Sequence, residues 1–139
     1  MKNRKILRDG LKPFQSQDVI VTIHTIPHEQ QRYETVGDWI FDEHGNLHIT
    51  VSRMSNWKRT MLVAIHELIE ASICTSNDTT AKQVDDYDMT RDAKVSGDNV
   101  SNPGSPYDKE HHFATGVEIL LAKEFDINWE EYEKELDAL

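Results

Sequence analysis

Between Thr60 and Thr75 the chain carries no Lys or Arg, and its only charged residues are Glu67 and Glu70, inside the run His66-Glu67-Leu68-Ile69-Glu70. A buried carboxylate is costly unless it is paired or bound to a metal. His66 and Glu70, at i and i+4, project from the same face of a helix, the spacing that lets two side chains share one cation. Glu67, beside the first of these ligands, is placed to hold and deprotonate a metal-bound water. The competing reading of such a His–Glu pair is a hydrogen-bonded surface pair, and five residues alone do not decide between them.

A second stretch supplies what the first lacks. With residues placed about 100° apart on a helical wheel, Phe113, Val117, Leu120 and Leu121 form an apolar stripe. His111 and Glu118 fall nearly on one line, with Ala114 between them, and the small Ala114 and Gly116 permit close approach of another helix. His112 lies further round, near Ile119 and Lys123, whose charge would repel a cation, so His111 is the expected third ligand. His66, Glu70, His111 and a water match the shell of a catalytic zinc, with another divalent transition metal as the alternative. Glu118 is expected either to support a ligand or to be one, unless it is an ordinary mid-helix surface carboxylate. Asp85, Asp86 and Asp88 read first as a solvated acidic helix face, and Asp85 or Asp88 is also placed to accept the other N–H of a ligand histidine. His24, His28, His44 and His48 receive no role.

The elements that must position these residues read as α+β, with strands first and helices after. Asp18 to His24, Tyr33 to Phe41 and Leu47 to Ser52 are expected strands, the last two joined by a hairpin around Asp42-Glu-His-Gly-Asn46. Together they imply a small antiparallel three-stranded sheet. Helices are expected over Asn56 to Thr75, Thr80 to Arg91 and Tyr107 to Phe125, with a short terminal helix capped by Asn128. In the first of these the core stripe is expected to be Met61, Ile65, Leu68 and Ser72, with Leu62 and Ile69 beside it. Ser96 to Pro106 reads as a loop bordering the cleft.

With 139 residues, one domain over 1–139 is expected, its basic N-terminal residues 1–16 flexible. Fifteen basic against twenty-five acidic residues give 15 − 25 = −10, which disfavours direct nucleic-acid binding because phosphate backbones are repelled. Cys74 is the only cysteine, which excludes an intrachain disulfide or a cysteine-based zinc knuckle. No apolar run reaches the ~20 residues of a membrane span and no signal peptide is evident, so a cytoplasmic protein is expected.

The order of a sheet, His66-Glu-Leu-Ile-Glu-Ala71, Val84-Asp-Asp-Tyr-Asp88, and Pro106-Tyr107 leading to His111, Ala114-Thr115 and Glu118 resembles a group of small, largely uncharacterised phage and prophage proteins. The resemblance covers Thr60 to Trp129, about half the chain. That group is similar in its helix motif to zincin metallopeptidases, whose pattern is HExxH with a third ligand further on. The resemblance implies that His66 is the first metal ligand, Glu67 the general base and Glu70 the stand-in for the second histidine, in a phage protein of the infected bacterial cytoplasm. A carboxylate in place of that histidine makes the centre more anionic and widens metal choice toward Mn²⁺ or Fe²⁺.

Three functions follow as expectations. The first is a metal-dependent hydrolase acting on a peptide, an amide or another small substrate. The second is a non-catalytic phage binding or structural protein whose ion ties two helices together. The third is a magnesium-dependent nucleoside triphosphate pyrophosphohydrolase. There Glu67-xx-Glu70 and Asp85-xx-Asp88 resemble the paired acidic motifs of the all-α enzymes, which leaves His66 and His111 without a task.

Overall fold

Gly45, at φ 78°, closes the turn that starts the sheet: its N–H donates to the Asp42 carbonyl (3.0 Å), while Asp42 Oδ1 accepts from the His44 and Asn46 amides (2.8 and 3.0 Å). Only a glycine takes that dihedral without strain. The turn joins β2 (Gly37–Phe41) to β3 (Leu47–Ser52) as the expected antiparallel hairpin, with Trp39 opposite Ile49. The structure is a computed structural model that describes Phe14, residues 18–89 and residues 105–139. Its other elements are β1 (Val21–Ile26), a 3₁₀ turn (His28–Gln30), α1 (Trp57–Ser76), α2 (Ala81–Asp88), α3 (Asp108–Glu124) and α4 (Trp129–Asp137).

The fold is α+β, but the sheet is mixed rather than antiparallel. Its order is β1-β3-β2, and β1 runs parallel to β3, from Val21 opposite Leu47 to Ile26 opposite Ser52. The physical reason lies in the connection. Pro27 ends β1, and the 3₁₀ turn and residues 31–36 carry the chain across the end of β3. That end bonds to both sides: the Ser52 amide donates to the Val36 carbonyl (2.8 Å) and the Arg53 amide to the Ile26 carbonyl (2.8 Å). Residues 33–36, expected as strand, belong to this crossing. Leu47, Ile49 and Val51 of the central strand are fully buried.

The helices begin where their caps stand. Asn56 accepts from the Arg59 amide (3.0 Å), Thr80 and Gln83 form a capping box, and Asn128 accepts from the Glu131 amide (3.0 Å). Which face each helix buries departs from the wheel. In α1 the buried residues are Leu62, Val63, Ala64, His66, Glu67, Glu70, Ala71 and Cys74. Met61, Ile65 and Leu68 are only half-buried, and Ser72 is exposed with its hydroxyl bonded to the Leu68 carbonyl. In α3 half of the expected stripe turns outward, Phe113 being 59% and Leu120 64% exposed, while Val117 and Leu121 are half-buried and Glu110, Ala114, Glu118 and Ala122 are buried. The small side chains at 114 and 122 allow α3 to close on α1, and that approach carries Glu118 inward with them. Close approach has displaced bulk as the rule that sets the face.

Arg32 ties the crossing segment to the rest. Its Nε and Nη2 donate to Asp38 of β2 (2.8 and 3.0 Å), and its Nη1 and Nη2 donate to Asp85 of α2 (3.1 and 2.7 Å). At the other end Glu135 of α4 accepts from the Ser55 amide and from Arg59 Nη1, both at 2.6 Å. No helix among the described residues is long and apolar enough to cross a membrane. The residues expected as a cleft loop, 96–104, and the basic leader apart from Phe14 lie outside the described residues.

Removing the guanidinium would leave two buried carboxylates facing each other. Arg32→Ala is therefore expected to cost about 3 kcal/mol or more of stability, read as a lowered urea midpoint. A change below about 0.5 kcal/mol, the usual size at a surface position, would show that the clamp does not hold these elements.

Candidate metal centre

α1 presents His66 and Glu70 one turn apart, and α3 brings His111 across to them. His66 Nε2 stands 3.3 Å from Glu70 Oε2 and 3.3 Å from His111 Nδ1, and His111 Nδ1 stands 2.9 Å from Glu70 Oε2. Around a tetrahedral zinc with ligand bonds of about 2.0–2.1 Å, neighbouring donor atoms are about 3.3 Å apart. The triangle therefore already has the dimensions of one face of such a shell. His66 and Glu70 are 7% and 4% exposed, and His111 opens partly to the cavity. Among the described residues these three form a group able to hold a metal ion.

The atoms behind the triangle determine what it can bind. His66 Nδ1 lies 2.7 Å from Glu118 Oε1, and Tyr132 donates a short hydrogen bond to Glu118 Oε2. An ionised Glu118 only accepts, so His66 must carry its N–H on Nδ1, and Nε2 then turns its lone pair toward Glu70. Trp39 Nε1 donates to Glu70 Oε1 (3.1 Å), which leaves Oε2 for the centre. A lone pair and a carboxylate oxygen cannot face each other in a buried place without a cation between them, whether proton or metal. Proton binding shows the same demand. Burial opposes charge on His66, yet its bonds to Glu118 and Glu70 outweigh burial and raise its pKa well above 6.5. Burial alone would raise the Glu70 carboxyl, but the hydrogen bonds from His111 and His66 hold it down to about 2.

Glu67 stands apart from this network. It is 9% exposed, lines a cavity of about 940 Å³ together with the three ligand residues, and has no hydrogen-bond partner among the described residues. Burial and the adjacent Glu70 charge push its carboxyl well above the usual range. Its side chain lies against the backbone of β2 at Gly37. A methyl group there would come within 2.5 Å of Glu67 Oε1 and 2.7 Å of its Cγ and Cδ. Gly37 thus makes room for the carboxylate.

The remaining expected residues have other partners. Glu118 supports His66 and does not join the triangle. Asp85 gives both oxygens to Arg32, and Asp88 accepts from Tyr33 (2.9 Å) and from Tyr107, so Glu118 takes the histidine-orienting place for which either aspartate was a candidate. Burial raises the Asp88 carboxyl to about 7 against the pull of the two tyrosines. His112 is exposed and 3.5 Å from Asp108, which leaves His111 as the ligand-side histidine. Elsewhere His28 pairs with Ser52, and His48 with Asp42. Gly37, Trp39, Tyr107 and Tyr132 were missed from the sequence. A glycine inside a strand pattern is a signal of close backbone approach, and that clue pointed to position 37.

No family model matches the chain, and neither a curated protein nor a solved structure matches it. The reading of the centre therefore stands on its geometry.

Gly37→Ala should destabilise the protein by about 1–3 kcal/mol through overpacking. Pairing it with Glu67→Ala should recover most of that loss, giving a coupling above ~1 kcal/mol in a double-mutant cycle of urea midpoints. Strictly additive losses would show that the two positions do not meet.

Proposed function

We propose that the chain is a zinc-dependent hydrolase of peptide or amide bonds, with His66, Glu70 and His111 as ligands and Glu67 as general base. The observation that carries this reading is the convergence of three donor atoms at 2.9–3.3 Å beside an unbonded, buried carboxylate on an open cavity. Zinc held there supplies Lewis-acid polarisation of a carbonyl and acidifies water. The chain's own residues account for the rest. Glu67, unbonded and facing the cavity, takes the proton of the attacking water and returns it to the departing amine. Glu118 and Tyr132 fix the His66 tautomer, and Trp39 fixes the Glu70 rotamer. The phage context implied by the motif resemblance belongs to the same proposal.

A purely structural ion is the second reading, favoured by the ligands' coming from two different helices. The pyrophosphohydrolase reading loses support, since Asp85 and Asp88 are engaged by Arg32 and two tyrosines, and no Lys or Arg among the described residues lines the cavity to meet a phosphate.

Elemental analysis of protein purified without chelator should find about one zinc, or another transition metal, per chain, lost in Glu70→Ala and in His111→Ala. Native protein free of transition metal would sink the proposal. Glu67→Gln should keep the metal and lose about 100-fold or more in turnover of a peptide library, whereas turnover unchanged by that substitution would leave the ion a structural tie.

Acidity gives a second check. A metal needs the Nε2 lone pair that a proton occupies when His66 is charged, and the raised pKa of His66 extends that competition upward from 6.5. Zinc affinity should fall by roughly tenfold per pH unit for each proton displaced, as pH drops below the raised pKa. Competition with a chromophoric chelator measures it, and a pH-independent affinity through neutrality would contradict a histidine ligand at position 66.

A further inference from the structure

The cavity is negatively charged in an uneven way. Four of its carboxylates already have partners: Asp38 has Arg32, Glu70 two histidines, Glu118 His66 and Tyr132, and Asp88 the hydroxyls of Tyr33 and Tyr107. Glu67, nine-tenths buried, faces the same space without a hydrogen-bond partner among the described residues. Three more line the cavity from exposed positions, which places them at its mouth: Glu34 from the crossing segment, and Glu133 and Asp137 from α4. Glu34 has a contact of 3.4 Å with His28, and Glu133 and Asp137 have no basic partner among the described residues. No Lys or Arg among the described residues lines the cavity to meet an anion.

On α4 the charges come with an aromatic surface. Trp129, Glu133 and Asp137, at i, i+4 and i+8, share one face of the helix and all line the cavity. The Trp129 indole donates to Glu133 Oε1 (2.6 Å), which fixes both groups, and packs at a tilt against Tyr132 with centroids 5.3 Å apart. An indole in contact with one carboxylate, with a second about two turns from the ring on the same helix face, is a seat for an extended organic cation, through the ring quadrupole and charge together. A guanidinium or ammonium at the end of a flexible stem meets that description, and a compact inorganic cation does not use the ring.

We propose that Trp129, Glu133 and Asp137, with Glu34 across the mouth, form a subsite for an arginine or lysine side chain of a peptide ligand. That the peptide is also a substrate rests on the hydrolase reading; the subsite itself does not. The field of the lining steers such a peptide into the cavity and turns acidic ones away.

The test uses fluorescein-labelled alanine hexapeptides carrying one central arginine, one central glutamate or neither, titrated by polarisation into the full chain as purified. Peptide integrity is checked afterwards by mass spectrometry. Cleavage and metal content then bear on the hydrolase reading, and binding bears on the subsite. The arginine peptide should bind about tenfold more tightly than the all-alanine one, with the glutamate peptide weakest. Glu34→Gln/Glu133→Gln/Asp137→Asn should bring the preference below about twofold, while the equally charged control Glu43→Gln/Asp86→Asn/Glu124→Gln, whose residues lie outside the cavity, should keep it. Equal binding of the three peptides, no detectable binding of the arginine peptide, or an equal loss in the control triple would each overturn the proposal, the last by assigning the preference to net charge alone.

Discussion

Two carboxylates, Glu70 and Glu118, are buried on either side of one imidazole, and the rest of the structure is arranged around making that tolerable. Each would be expensive alone when so largely withdrawn from solvent. Each is instead bonded on both oxygens: Glu118 to His66 and Tyr132, Glu70 to Trp39 on one side and to the histidines on the other. To bring these groups together, α1 has to meet α3, the sheet has to meet α1, and α4 has to fold back over α3. The left-handed backbone at Asp126, φ 55°, starts that return. Satisfying the polar cluster is therefore a tertiary task shared by every layer of the molecule, and a fully satisfied cluster of this kind specifies a unique arrangement.

The grouping of His66, Glu70 and His111 could be anticipated because its logic is local. His66 and Glu70 share a helix face by spacing alone, and His111 could be separated from His112 by the lysine one side of the helix carries. The hairpin was equally local, since Gly45 and Asp42 declare the turn through dihedral and hydrogen-bond preferences. Strand partnership was not, because β1 has no short connection to declare its neighbour, and a parallel partner leaves no turn signal. The helix faces were misread for a related reason. A wheel ranks faces by bulk and polarity, whereas α1 and α3 bury alanines, a cysteine and five ionised or ionisable residues, and direct much of their larger aliphatic surface outward. The absence of Lys and Arg from Thr60 to Thr75 marked the ionisable groups of α1 as inward, but not which aliphatic residues share their face.

Tyr132 shows the same limit on a single side chain. Nothing in Trp129-Glu-Glu-Tyr132 hints that its hydroxyl closes the far side of a histidine–carboxylate pair, yet the residue is fully buried against Glu118. Trp39 is comparable: an aromatic in a strand reads as core, and it is core, but its single N–H also sets which oxygen of Glu70 is left for the centre. Buried aromatics with polar tips serve packing and orientation at once, and only the first role has a sequence pattern.

The parallel pairing of β1 with β3 also orders events in time. The β2–β3 hairpin closes a short loop and can form early, whereas Val21 must find Leu47 across the whole of that hairpin. Loop-closure entropy and contact order place such a pairing late in folding. The crossing segment holds Arg32 and leads directly into Gly37, so the wall against which Glu67 rests is completed only when this last strand docks. A newly made chain would thus have its helices before this wall of the cavity was complete, so the surroundings of Glu67 are the last part of the fold to be set.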